Sequence, residues 1–455
     1  MSDSRSFNKN ESMIRDLTQG NVLKQLLVFA APLFVSNVLQ SIYNIVDMIV
    51  IGKVIGGSGM SAVSTGGNIL SLLMFLAMGF SSAGQILIAK FVGLHNPTKI
   101  KKAIGSMFTL LLSMAVIMSV VCYLLRVRIL GWVNTPPEAY QYTMDYTVIC
   151  IAGLIFIYGY NIVSAILRGM GDSKRPFYFV AVATVVNIVL DIVMVGYLNM
   201  AAMGAALATV IGQAVSFFFS IVYLYRKKEN FGFDFRLRSF IPDKEMSKAI
   251  FALGIPMSLQ SAAIHISLTV VAAWVNTFGV ISSAIAGVYS KLGAVMGTMS
   301  NSTTTAAASM VGQNLGAKKY KRVPKILLCA ICISAIMSTV CALLLFFFPE
   351  RIFLMFTDDM AVVTAASIIV IPSIINFFGC ATRTFAFGII NGSGNAKLNL
   401  AIALFDGMIS RIGLAYLLGF ALGWGPFGFW MGDALAGYVP LLIGGIYFLS
   451  GKWKK

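Results

Sequence analysis

The chain has 455 residues, 58% hydrophobic and 11% charged, with a mean hydropathy of +0.85 and a formal net charge of +17. Soluble domains are roughly half apolar and about a quarter charged, so this composition excludes an ordinary soluble enzyme; it equally excludes a disordered chain, which needs few apolar residues. At about 20 residues per membrane-crossing helix, the length accommodates a dozen spans and leaves no room for a large soluble domain.

The first 20 residues are polar and mixed in charge, without the pattern of a cleavable signal peptide. Apolar runs follow at 24–51, 62–90, 103–127, 140–167, 176–198 and 203–225. A second set lies at 247–277, 282–312, 326–348, 361–390, 398–421 and 427–450. With both termini placed in the cytoplasm, 27 Lys and Arg fall on the cytoplasmic side against 4 on the other, which orients the chain and requires an even number of spans. This alternation of basic loops reads as topology rather than as a groove for nucleic acid. The expectation is a multi-pass protein of the cytoplasmic (inner) membrane with both termini inside.

The longest charged connection, 225–248, separates two halves, residues 1–235 and 236–455, and the halves echo each other. Pro32 in AAPLF matches Pro256 in GIPMS, 224 positions on. VGLHNPTKIKK at 92 resembles VGQNLGAKKYK at 311, RGMGDSKRP at 168 resembles NGSGNAKLN at 391, and MGAAL at 203 echoes FGFWM at 427. Four matches in one order at nearly one offset define an internal repeat. The expected fold class is therefore an all-α integral membrane protein. Its twelve transmembrane helices form two six-helix lobes related by a pseudo-two-fold axis along the membrane normal, the plan of a transporter.

A charge at the centre of a spanning helix costs about 2.5–3.5 kcal/mol on insertion scales, so intramembrane acids need a reason. In the first span Asn37, Gln40, Asn44 and Asp47 are spaced 3, 4 and 3 and share a helical face. Pro32 precedes them and is expected to kink or hinge that helix. In the fifth span Thr184, Asn187 and Asp191 repeat the spacing. Such stripes could serve only to join helices by hydrogen bonds, but Ser, Thr or Asn would do that without a carboxylate. The functional reading is a pocket where two carboxylates take up a proton or Na⁺. Burial disfavours the charged form of an acid and a second acid disfavours it further. Loading then biases a bistable bundle, and a cargo competing for the same half gives antiport.

The second half offers Lys291, Arg383 and Arg411 inside spans, with Asp406 as its deep acid; Asp433 is read as an interfacial residue near a span end. Two readings stay open for this set: charge compensation between neighbouring helices, or contact with an anionic or zwitterionic substrate. His265 is read as a packing residue. The six cysteines lie in apolar runs, and Cys329 with Cys332 forms a CxxC with no second pair or nearby His, so no metal or redox site is expected. There is no GxxxxGK[ST] loop for ATP, and no HExxH or GxSxG. An intramembrane aspartyl protease would need two reactive aspartates, but the twelve-span repeat and the polar stripes argue against it. A flippase for lipid-linked intermediates, or an exporter of anionic substrates with the same two-lobe plan, is the closer alternative.

The stretches AAPLFVSNVLQSIYNIVDMIVIGKVIG (30–56), LRGMGDSKRP (167–176), NIVLD (187–191), GAALATVIGQ (204–213) and VGQNLGAKKYKR (311–322) resemble the multidrug and toxic compound extrusion (MATE) family. The resemblance covers essentially the whole chain. It implies two six-helix lobes that alternate between inward-open and outward-open states, and efflux driven by inward flow of H⁺ or Na⁺. The first-half motifs are closer to the DinF-like branch. By that likeness Asp47, Asn187, Asp191 and Thr209 form an N-lobe cation site with Tyr146 beside it, while Gln40, Asn44 and Asn37 border the substrate cavity. The NorM-like branch adds acids in the seventh and tenth spans; here those spans carry His265 and Arg383 instead. The implied partners are amphipathic small molecules and membrane lipids. Neither nucleic acid, nor an obligate protein partner, nor a cofactor beyond the coupling ion is expected.

Overall fold

The computed structural model describes residues 15–231 and 233–454. Most of the polar N-terminal segment, residues 1–14, lies outside them. Among the described residues eleven helices are long and apolar enough to cross a membrane, and a bent pair supplies a twelfth crossing. In the first half these are α1 (Val22–Ile55), α2 (Gly57–Gly93), α3 (Pro97–Trp132), α4 (Pro137–Ala152 and Leu154–Gly169), α5 (Lys174–Tyr197) and α6 (Ala201–Arg226). The second half has α7 (Lys244–Asn276), α8 (Val280–Gly316), α9 (Tyr320–Phe347), α10 (Met360–Ser393), α11 (Ala396–Ala421) and α12 (Gly425–Leu449). No strand occurs among the described residues. A bilayer offers backbone groups no water, so helices that satisfy their own hydrogen bonds are the solution this composition dictates.

Every apolar run of the sequence is a helix, but three features were not legible there. The run 140–167 is not one rod: α4 bends by 48° at Gly153. A side chain at Gly153 would sit 2.4 Å from Val210 Cγ2, so the break lies where α6 presses closest. Helix α5 widens into a π-helical stretch at Ile192–Tyr197, immediately after Asp191. Helix α11 does so twice, at Phe405–Ser410 and Leu417–Ala421. By contrast α1 runs through Pro32 without a break in its helix, and the Ser36 hydroxyl donates to the Pro32 carbonyl at 2.8 Å.

The chain divides into two compact units. Among the described residues, one comprises Ala31–Gly254 with Arg15 and Asp16; the other comprises Leu17–Ala30 and residues 255–454. The sequence halves 1–235 and 236–455 follow chain connectivity, whereas the units exchange the opening turns of α1 and α7. In the first unit Met246 and Ile250 of α7 join a core of Phe80, Phe108, Tyr158 and Ile162. In the second, Leu17, Leu26 and Phe29 pack with Met310, Val311, Ile326 and Ile390. Each exchange ends two residues before the repeat's proline, at Ala30 before Pro32 and at Gly254 before Pro256.

The repeat is visible in local geometry. Helices α2 and α4 make the most extensive pairing of the first unit, and α8 and α10 that of the second. Both pairs close on a glycine from the matched motifs. A Cβ on Gly169 would lie 2.7 Å from the Gln85 carbonyl oxygen, and one on Gly392 would lie 2.6 Å from Val311 Cβ. Two residues later Gly171 (φ 86) and Gly394 (φ 70) adopt the left-handed conformation that turns the chain out of the helix. One short RGMG or NGSG sequence thus sets a helix contact and a helix stop.

Candidate functional site

The first unit gathers four of its helices around two acids. Asp47 of α1 and Asp191 of α5 are buried at 3% and 0% exposure. Asp47 lies close enough to Asp191, Asn187 and Thr209 for the side chains to interact electrostatically. Asn187 Nδ2 donates to Thr209 Oγ1 at 3.4 Å. Tyr146 of α4 is buried beside Asp47 and packs with Ile51, Val63 and Val195.

Small residues make this convergence geometrically feasible. A Cβ on Gly212 would sit 3.0 Å from the Ala183 carbonyl and 3.3 Å from Asn187 Cβ, so α6 approaches α5 closely where Thr209 meets Asn187. A Cβ on Gly66 would sit 2.4 Å from Tyr146 Cδ1, so α2 leaves a slot for that ring.

The polar atoms of the cluster are mostly acceptors. Asp47 Oδ1, both oxygens of Asp191, Asn187 Oδ1 and Thr184 Oγ1 are buried without a hydrogen-bond partner. Two ionised carboxylates side by side have no donor to share, and a low-dielectric interior gives them neither solvation nor screening. A proton resolves this by creating an O–H···O⁻ bond between them. A small hard cation resolves it by accepting oxygen ligands. Among the described residues no group of three or more His, Cys, Asp or Glu could hold a metal ion, and all six cysteines are free.

The rest of the α1 stripe is not in this cluster: Asn37 and Gln40 are half-buried and Asn44 is exposed. The exposed residue of the stripe, Asn44, thus lies one turn before the buried acid Asp47.

In the second unit the structure joins three of the four candidates and adds others. Arg383 and Arg411 each place Nη2 3.2 Å from Asp406 Oδ1. Arg411 Nη1 also pairs with Asp433 Oδ1. Asp433 Oδ2 accepts from the Tyr289 hydroxyl at 2.8 Å and from Asn376 Nδ2 at 3.2 Å. Asp433 is therefore not an interfacial acid: it is 2% exposed and tied to three side chains. Its place near the start of an apolar run hid partners that lie on α8, α10 and α11. Tyr289 and Asn376 carried no signal in the sequence beyond being polar. Lys291 and His265 are exposed on α8 and α7. Two arginines and two aspartates cancel, so this network is neutral, whereas the first-unit cluster carries acids alone.

Twelve crossings built from a tandem repeat, with a buried acid pair in one half, define a multi-pass membrane protein of the transporter class. The family model described as MatE matches the chain twice, at residues 32–193 and 256–417, and the chain belongs to the MATE family of transporters. Both bounds of the two matches are 224 positions apart. The chain is 27% identical over 441 residues to the "Probable multidrug resistance protein YoeA" of Bacillus subtilis, covering 96% of this chain and 95% of the relative. It is 22% identical over 393 residues to the "Multidrug export protein MepA" of Staphylococcus haemolyticus, covering 86% of each. A crystal structure of MATE in the bent conformation matches with a TM-score of 0.88 at 21% identity, over 97% of this chain and 98% of that one.

Proposed function

We propose that this protein exports amphipathic organic compounds across the cytoplasmic membrane in exchange for H⁺ or Na⁺, with both termini in the cytoplasm. The observation that carries the reading is the neighbouring pair Asp47 and Asp191, with Asn187, Thr209 and Tyr146 close by and buried oxygens left without donors. Such a cluster is unfavourable empty and favourable when loaded, and a second state that parts the two acids would bind the cation less tightly. Only such a difference can shift a conformational equilibrium. The π-helical stretch after Asp191 supplies a locally deformable helix at the same point. Pro32, which withholds a backbone donor inside α1, is the proposed hinge, and Gln40, Asn44 and Asn37 border the cargo path. The names of the relatives, multidrug resistance and multidrug export, agree with organic cargo.

The test is reconstitution in liposomes with an imposed pH gradient or, separately, a Na⁺ gradient, following a fluorescent cationic dye. Dye movement should follow one gradient and stop in Asp47→Asn and in Asp191→Asn, both of which keep the shape of the site. Normal transport by both variants under either gradient would refute the assignment.

A further inference from the structure

The repeat gives the first-unit site a counterpart in the second unit. At the offset of 224, Asn187 corresponds to Arg411 and Thr209 to Asp433. The packing fixes this register: a Cβ on Gly204 would meet the backbone of Met194, and one on Gly428 the backbone of Leu418, again 224 positions on. Where the first unit has the Asn187–Thr209 hydrogen bond, the second has the Arg411–Asp433 ion pair.

The counterpart is neutral but not saturated. Arg383 Nε, Arg411 Nε and Asp406 Oδ2 are buried and have no hydrogen-bond partner. All three belong to groups that meet at one atom, Asp406 Oδ1. Asp406 is 0% exposed and the Arg411 side chain 3%, whereas the Arg383 side chain is 17% exposed and forms the accessible edge. Asp406 also lies within the π-helical stretch Phe405–Ser410, where the backbone departs from its regular ladder. A buried polar group is normally paired, and an unpaired one asks for a partner.

The unfilled inventory is two cationic donors and one anionic acceptor at a site of zero net charge. A bare anion or cation would satisfy part of it and leave a net buried charge, which a low-dielectric interior penalises. A group carrying both charges satisfies all of it. From this we infer that the second unit binds the zwitterionic head of an amphiphile. Its anionic oxygens take the arginine Nε donors, and its ammonium takes Asp406 Oδ2. The inference rests on the export reading above and names the chemistry of the cargo. It also gives the two halves different tasks, ion binding in the first and head-group binding in the second.

The experiment is equilibrium binding to the purified full-length protein in detergent, with no ion gradient, so its failure leaves the coupling proposal standing and the converse. The probe is a fluorescent long-chain amphiphile ending in an α-amino acid. It is compared with its methyl ester, which keeps only the ammonium, and its N-acetyl derivative, which keeps only the carboxylate. The parent should bind at least about tenfold more tightly than either analogue, one decade in Kd. In Arg383→Gln the three should converge. Equal affinity of the parent and either analogue for the wild-type protein overturns the inference without any variant having to fold. So does an advantage that survives in Arg383→Gln. Repeating the comparison in lipid nanodiscs separates two sources of the same chemistry. If phosphatidylethanolamine, but not phosphatidylglycerol, displaces the parent, the head group is that of a membrane lipid. If neither does, it is that of a soluble cargo. Either result supports the site.

Discussion

Replacing Arg411 with methionine removes one cation that touches two acids. Asp433 keeps the Tyr289 and Asn376 donors and Asp406 keeps Arg383, but the network passes from neutral to a net charge of −1. Breaking a buried pair on one side costs about 3–5 kcal/mol, because the surviving charge is left without compensation. An ordinary interhelical hydrogen bond in a membrane averages about 0.6 kcal/mol with a maximum near 1.7, so the size of the loss reveals whether charge or mere hydrogen bonding is at stake. Adding Asp433→Asn restores neutrality, since Arg383 and Asp406 then balance, and the amide oxygen can still accept from Tyr289. Unfolding of the purified protein should show a loss of about 3–5 kcal/mol for Arg411→Met, of which the double variant recovers about 1–3 kcal/mol as coupling between contacting residues. A loss below about 1 kcal/mol, or a double variant no more stable than the single one, would refute the charge argument.

Gly66→Ala forces a methyl group against the Tyr146 ring, 2.4 Å from Cδ1, at the wall of the acid cluster. Overpacking of this kind costs about 1–3 kcal/mol, and transport should fall in a protein that still inserts; unchanged transport would show that the ring is free to move aside. In the connection between α6 and α7, Lys101 beside Asp234, with Ser239 donating to it, holds that carboxyl well below the usual aspartate range. A group lowered on folding contributes stability above its unfolded value and loses it only as pH falls through the folded one. Amide exchange in residues 233–243 should therefore stay slow from neutral pH down past about pH 4 in the wild type and be fast at neutral pH in Asp234→Asn. Loosening of the wild-type segment at about pH 5–6 would contradict this.

The architecture was legible because its signals are additive. Long apolar runs, a 27-to-4 bias of basic residues and four matched motifs each report on many residues at once. The burial of Asp47, Asn187 and Asp191 was legible because intramembrane polarity at helical spacing is costly and therefore informative. The features that escaped depend on partners distant in the chain. Asp433 looked peripheral until α8, α10 and α11 supplied Tyr289, Asn376 and Arg411. Gly153 is one glycine among 42, and only the approach of Val210 distinguishes it. The exchanged turns of α1 and α7 follow from packing, to which a cut at the longest loop is blind.

The central claim is that the acid pair of the first unit carries the coupling ion, and it is tested most directly by following ion and dye in the same vesicles. Inward movement of H⁺ or Na⁺ should accompany dye export in a fixed ratio, and both fluxes should vanish together when Asp47 or Asp191 becomes asparagine. Dye export that persists in those variants, with its accompanying ion flux intact, would place the coupling elsewhere in the protein.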